Sequence, residues 1–427
     1  MKFYANNFFF SAFLLIFIFI FVLTFDLKFD LVGFSFLINC FLTCFLIALS
    51  LQKIISTILF YYIFNLIFLI TIPWVQYSNN IIIWSKISFI ESDFLIANFV
   101  IFLTSVFVFL IYFFIPNFKF SVQNIVLKRP NFLISCIVCI VCFMLVLYSL
   151  NFNILRVFFR GLSDDDTDYS LNPLLAIVVY LARFIPAFLF LRFTFNGEKH
   201  QKIIFFIFTL LCAFPTGITR FMVAYIYLPI LLAYFPKFKK SKDITFVMFL
   251  SIFMIFPFLN QFRYYSSNAS INFLPDLNFV NEAHFDAYQN LMEVIRFDFI
   301  TFGHQLLGVF LFFVPRNFWP EKPVGSGYFL AEEYGYRFNN ISMPFLGEGF
   351  VNFGYFGFLI FPFVLAVFMK LIDSAYLTRY NVSDNNFYII KGVFYCSALF
   401  FMMRGDLLSS FSFMLAGVFA IKISEKI

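Results

Sequence analysis

The sequence predicts an all-α, polytopic integral membrane protein of about twelve transmembrane helices with one large outer loop. Three observations predict it. The 427 residues are 62% hydrophobic and only 12% charged, with a mean hydropathy of +0.92, against about 25% charged in an ordinary soluble domain. Too little polar surface remains to cover a water-soluble body. The apolar residues fall into runs of about twenty, the length of helix that crosses a hydrocarbon core while satisfying its own backbone. Finally, these runs are interrupted once by a long polar stretch, residues 260–352.

Spans are expected in order at 8–25, 31–51, 54–75, 94–115, 132–152 and 173–195. The first lacks a small-residue cleavage site and reads as a retained span. A shorter pair, 203–214 and 221–235, is broken by Pro215-Thr216-Gly217 and reads as a tight hairpin. Spans at 244–259, 353–371, 387–403 and 407–423 complete the count. Three regions follow: residues 1–259 with nine spans, the loop 260–352, and residues 353–427 with three more. The 77 Phe are first of all lipid-facing and core-packing bulk. Cys136, Cys139 and Cys142 have a spacing open to a metal, but in an apolar helix they read as one packed face.

Short Lys/Arg-rich loops stay cytoplasmic. Lys119, Lys128 and Arg129, then Lys199 and Lys202, then the run from Lys237 to Lys242, then Lys422 and Lys426 all fall on the side of the N-terminus. Both termini are therefore expected inside and loop 260–352 outside. Lys thus sets orientation, whereas eight of the twelve Arg (Arg156, Arg160, Arg220, Arg263, Arg296, Arg316, Arg337 and Arg404) lie outside, against the trend. A guanidinium offers a planar fork that matches phosphate or carboxylate. The set therefore points to an anion site, although each Arg taken alone reads first as a partner of loop carboxylates such as Asp164 to Asp168, Glu332 and Glu333. The Asp164–Asp168 cluster is open to a divalent cation or to a plain solvated loop.

Several outer motifs are more specific. Pro215-Thr216-Gly217-Ile218-Thr219-Arg220 places Arg220 at a helix start. Val314-Pro315-Arg316-Asn317-Phe318-Trp319-Pro320-Glu321-Lys322-Pro323 is expected to be an extended, rigid path presenting Arg316 and Lys322, with Trp319 as a headgroup-level anchor. Gly347-Glu348-Gly349-Phe350-Val351-Asn352-Phe353-Gly354-Tyr355-Phe356-Gly357 leads into the tenth span, and Gly354 and Gly357 permit close packing. Arg404-Gly405-Asp406 is a minimal outer hairpin. Residues 283–302, with His284, Tyr288, Glu293 and Arg296, are expected to form an amphipathic helix over the site.

These motifs together, from Arg156 to Leu407, resemble the O-antigen polymerases, the Wzy-type oligosaccharide repeat unit polymerases. The resemblance implies an inner-membrane glycosyltransferase of GT-C-like architecture with a periplasmic active site and no cofactor. Its substrates are undecaprenyl-pyrophosphate-linked oligosaccharide repeats, as donor and acceptor, within membrane lipid. Chain-length regulators and a flippase are the implied protein partners, and nucleic acid is not one. A leaving pyrophosphate develops negative charge that guanidinium groups stabilise, which suits Arg160, Arg220, Arg263, Arg316, Lys322 and Arg404. The acceptor hydroxyl needs a base. Glu348 is the first candidate, since the related ligases carry a His before a similar Gly-x-x-Gly helix entry; His304 is the second. A helix-terminal or ion-paired role for Glu348 and an interfacial hydrogen bond for His304 are the plainer readings. Asp-x-Asp is missing from the large outer loop, so metal-independent transfer is the default. An O-antigen ligase and a lipid-linked oligosaccharide flippase are the alternatives.

Overall fold

A computed structural model describes residues 14, 24–51, 54–120, 129–159, 173–261, 277–382 and 386–427. The expected first span, Arg160, the Asp164–Asp168 cluster and Arg263 lie outside these residues, the first span but for Leu14, Thr24 and Phe25. Among the described residues every regular element is helical. Eight stretches are long and apolar enough to cross a membrane: Leu31–Ser50, Thr57–Ser78, Glu91–Phe114, Phe132–Ser149, Leu175–Asn196, Ser241–Leu259, Phe345–Ala375 and Leu407–Lys426. The described residues form an all-helical, multi-pass membrane protein.

We number the helices α1 (Leu31–Ser50), α2 (Thr57–Ser78), α3 (Glu91–Phe114), α4 (Phe132–Ser149), α5 (Pro173–Asn196), α6 (Lys199–Cys212), α7 (Arg220–Tyr234), α8 (Ser241–Leu259), α9 (Ala287–Arg296), α10 (His304–Phe310), α11 (Ser326–Glu333), α12 (Phe345–Phe353), α13 (Gly357–Val382), α14 (Asn386–Arg404) and α15 (Leu407–Lys426). The core is α2, whose apolar window is wholly buried among α1, α9, α13 and α14. A helix with no lipid-facing side has no need of an apolar stripe, and it carries polar side chains that bond to its neighbours. Tyr62 donates to the Ser105 carbonyl at 3.0 Å and Asn65 to Ser105 Oγ at 3.2 Å. A π-turn over Asn65–Thr71 precedes Pro73, which has no N–H to give the helical ladder. A second group forms around α5, which packs on α4, α6, α7 and α15. The lipid-facing surfaces are the exposed aliphatics and aromatics of α1, α3 and α4, such as Phe41, Phe99 and Ile140.

Lipid tails are as apolar as Leu, so such helices associate through close packing and buried hydrogen bonds. A network of this kind fixes the segment that builds the site. Asn98 Nδ2 donates to Ser35 Oγ at 2.7 Å and its Oδ1 accepts from Tyr288 at 3.0 Å, joining α1, α3 and α9. Gln76 Nε2 donates to the Val280 carbonyl at 3.1 Å, and Gln289 Nε2 donates to Gln76 Oε1 at 3.0 Å. Residues 280–290 are thereby set on the end of α2. At the opposite end Asp373 accepts from the Thr57 N–H at 3.0 Å and from Tyr112 at 2.7 Å, capping α2. Arg129 pairs with Glu198 at 2.8 Å there, and Asn131 N–H donates to the Ile427 carbonyl at 3.0 Å. Two basic loops and the C-terminus thus share one end of the bundle.

Three expectations are corrected. The spanning helix within the apolar stretch Phe345–Ala375 begins at Gly357 and not at residue 353. Gly354, at φ +57°, ends α12, and the chain doubles back so that α12 lies antiparallel on the start of α13. A Cβ at Gly349 would stand 2.7 Å from the Gly357 carbonyl oxygen, and one at Gly357 would overlap the Gly349 carbonyl. The glycines therefore permit a hairpin crossing. Gly357→Leu is expected to lower stability in detergent by about 1–3 kcal/mol or more, read as a drop in thermal midpoint; an unchanged midpoint would rule the crossing out.

The proline-rich segment is not extended. Phe318 and Trp319 N–H groups donate to the Pro315 carbonyl at 3.0 and 3.2 Å, and Lys322 N–H to the Trp319 carbonyl at 3.1 Å, making consecutive turns. The fixed φ of proline suits a turn as well as an extended path.

The amphipathic helix is shorter, Ala287–Arg296, and eight of its residues, Ala287 to Val294, are buried. It is part of the core under the site. Glu293 is buried within it, and burial pushes its carboxyl up. A carboxyl raised above its unfolded value contributes stability at low pH that is lost as pH rises past the ordinary carboxylate range. Glu293→Gln should therefore gain thermal stability over wild type as pH rises from 4 to 8, and a pH-independent difference would contradict this reading.

Candidate functional site

At the end of the bundle that carries residues 277–344, a two-lobed cavity opens. The lobes measure about 650 and 570 Å³, sizes typical of ligand sites, and share Tyr180, Asn340, Ser409 and Phe413 as common wall. The first lobe has an apolar side from α5 and residues 312–313, faced by Arg316, Lys322 and Asp406. The second is lined by Trp84, Arg220, His284, Asp286, Phe338 and Arg404 among others.

The second lobe is built on the α14–α15 hairpin. α14 ends at Arg404, Asp406 caps α15 by accepting from the Leu408 N–H at 3.0 Å, and Gly405 makes the turn. Arg404 is held in a fork. Nε donates to the His284 carbonyl at 3.0 Å, and Nη2 lies 3.2 Å from both the Ala283 carbonyl and Asp286 Oδ1. The guanidinium also sits over the Phe221 ring, 5.5 Å from its centroid. Asp286 is 1% exposed and carries further donors. Trp84 Nε1 reaches Oδ2 at 2.9 Å, Ser342 N–H reaches it at 3.1 Å, and Ser342 Oγ bonds Oδ1. These donors on both carboxylate oxygens fix Asp286 in place, and Asp286 in turn fixes Arg404.

Arg220 opens α7 as expected, after a turn whose Thr216 donates to the Phe158 carbonyl. Its Nη2 lies 2.6 Å from His284 Nε2. A guanidinium only donates, so this imidazole nitrogen accepts from Arg220 when the ring is neutral. Burial lowers the His284 pKa first. Glu282, 3.3 Å from Nε2, opposes the shift, while Arg220 and Arg404 lower it further. One loop residue is thus gripped by two arginines from different helices, its ring by Arg220 and its backbone by Arg404.

In the first lobe Arg316 is exposed on the wall and donates through Nη1 to the Lys322 carbonyl at 2.8 Å. Lys322 is 9% exposed, and its ammonium is committed to the Phe312 and Val314 carbonyls. Burial, with Arg316 nearby, lowers its pKa. Lys322 ties the turns together, and Arg316 is the cation offered to the cavity.

Glu348 is not on the wall of either lobe. It is 1% exposed, with Oε2 accepting from Ser326 Oγ at 2.7 Å and Oε1 from the Leu407 N–H at 2.9 Å. It latches α12 to the starts of α11 and α15. The carboxyl that reaches the cavity is its neighbour Asp406, which accepts from the Gly327 N–H at 3.1 Å and is pushed up by burial. His304 is also off the cavity: it is exposed at the start of α10, edge-on to Trp319 with ring centroids 6.4 Å apart. Neither expected base is therefore placed to touch a molecule in the cavity.

Of the six cations expected at an anion site, the structure places Arg220 and Arg404 on one lobe and Arg316 and Lys322 on the adjoining one. Asp286, Trp84 and Asp406 were not singled out as site residues, and His284 was named only within a segment expected to cover the site and contact sugar. Asp406 stood in the Arg-Gly-Asp motif and His284 in the expected amphipathic segment. Trp84 and Asp286 gave no local signal, since their roles come from contacts across more than a hundred residues. No family model matches the chain, and no curated protein or solved structure matches it either.

Proposed function

We propose that this chain is a polymerase of undecaprenyl-pyrophosphate-linked oligosaccharide repeat units, of the O-antigen polymerase type. It acts at the periplasmic face of the inner membrane, with both termini cytoplasmic and about twelve spans in a GT-C-like arrangement. The observation that supports the reading is the pair Arg220 and Arg404, held in fixed positions on the wall of a cavity at the end of the bundle opposite the basic loops. In the reaction the bond between the anomeric carbon of the growing chain and its lipid diphosphate breaks, and the bonding electrons leave with the diphosphate. A new bond forms from that carbon to a hydroxyl oxygen of the incoming repeat. Fixed guanidinium groups meet the developing diphosphate charge without reorganisation. The hydroxyl proton passes to Asp406, the carboxyl that lines the cavity.

The reading is tested in cells by the lipopolysaccharide profile. Loss of the gene, or Asp406→Asn at unchanged protein level, should leave core capped by a single repeat. Uncapped core on gene loss would point to a ligase or flippase. Long chains from Asp406→Asn would remove Asp406 as the base.

A further inference from the structure

The second lobe contains aromatic rings that the diphosphate chemistry does not use, and two of them, Trp84 and Phe338, form a pair. Trp84 and Phe338 come from irregular segments far apart in the chain, yet their rings stack 5.4 Å apart at 22° and both line the cavity. Trp84 is one of three Trp. The usual reason for a half-buried Trp in a membrane protein is anchoring among headgroups. That reason does not fit here, because its indole N–H is spent on the buried Asp286 Oδ2 at 2.9 Å. The other oxygen of the same carboxylate holds Arg404 Nη2 at 3.2 Å. Its loop is fixed again one residue earlier, where the Ile83 N–H donates to Gln289 Oε1 at 2.9 Å. A flat aromatic surface is thus set a single carboxylate away from a cavity-lining guanidinium.

We propose that Trp84 and Phe338 form the platform for a pyranose ring, the sugar directly attached to the diphosphate of the lipid-linked repeat. This rests on the proposed function. The C–H face of a sugar is apolar and its hydrogens are slightly positive, which suits the negative face of an aromatic ring. The sugar bonded to a diphosphate lies next to it, so a platform joined to Arg404 through Asp286 is at the right place. Phe338 is 39% exposed, leaving ring surface for a ligand. Asn340, on the wall common to both lobes, supplies an amide for the ring hydroxyls.

The test uses the full chain in detergent and two probes, a short polyprenyl diphosphate and the same lipid bearing one sugar, with affinities from calorimetry. Phe338→Ala removes a ring face without touching Asp286, and Trp84→Phe keeps an aromatic ring while losing the N–H. Phe338→Ala is expected to weaken the sugar-bearing lipid about tenfold and the sugar-free lipid less than twofold, and Trp84→Phe should retain part of the sugar's gain. Equal effects on both lipids, or none on either, would overturn the platform while leaving the diphosphate reading standing. A wild-type protein that binds neither lipid would overturn both.

Discussion

Arg404→Ala is expected to abolish chain growth and to cut the transfer rate by about 10²–10³ or more, with the protein still present in the membrane. Arg404 makes contacts to the Ala283 and His284 carbonyls and to Asp286, so its side chain joins α14 to the segment that forms the cavity floor. Truncation removes positive charge from the wall and leaves the buried Asp286 carboxylate without its cation, a change that costs more than a surface contact. Arg404→Lys separates the two effects. An ammonium restores a charge near Asp286 but cannot span the carbonyls and the carboxylate together. Arg404→Lys should therefore recover the thermal midpoint and only a small part of the activity. Wild-type chain length in Arg404→Ala, read from the lipopolysaccharide ladder, would remove Arg404 from the site.

The second large effect is expected at His284, where the two arginines meet. With its pKa lowered chiefly by burial, His284 is neutral at physiological pH and Nε2 receives the Arg220 N–H. Protonation removes that acceptor and places a third cation between Arg220 and Arg404. The unfolded chain takes up the proton near the ordinary imidazole value of about 6.5, but the folded protein resists it. Stability should therefore fall as pH drops below that value, with Arg220's placement lost at still lower pH. Of the charged groups facing the ring, Glu282 opposes this change, while Arg220 and Arg404 reinforce it. His284→Gln keeps an acceptor and cannot titrate; it should retain most activity and flatten the acid side of the profile. His284→Phe fills the space without an acceptor and should lose activity about tenfold or more at every pH. An acid limb unchanged in His284→Gln would assign the titration to another group.

The membrane class and most span positions were legible because hydropathy is a local property and the bilayer imposes one length. The α14–α15 hairpin was legible too, since Arg404-Gly405-Asp406 leaves no room for a longer loop. The fold-back at Gly354 was not. A glycine inside an apolar run reads as a packing surface, and only the meeting of Gly349 with Gly357 shows that the chain reverses there. The place of Glu348 was not legible for the same reason: flanking glycines put it beside the membrane in sequence, but the reversal turns it inward to Ser326 and Leu407. Arg220 and Arg404 stood out as candidates because charge against the topological trend is conspicuous in a chain with so little charge. Their partners were not, since Asp286 and His284 acquire their roles only when residues 280–290 dock on α2 through Gln76 and Gln289.

The most direct measurement of the central claim is glycosyl transfer by the purified full-length protein between two chemically defined undecaprenyl-pyrophosphate-linked repeats, one labelled in its sugar and the other in its lipid. The account predicts a product of two repeats on one lipid pyrophosphate, with release of the other lipid pyrophosphate, and its loss in Arg404→Ala. Binding of both lipids with no joined product from active preparations would contradict it.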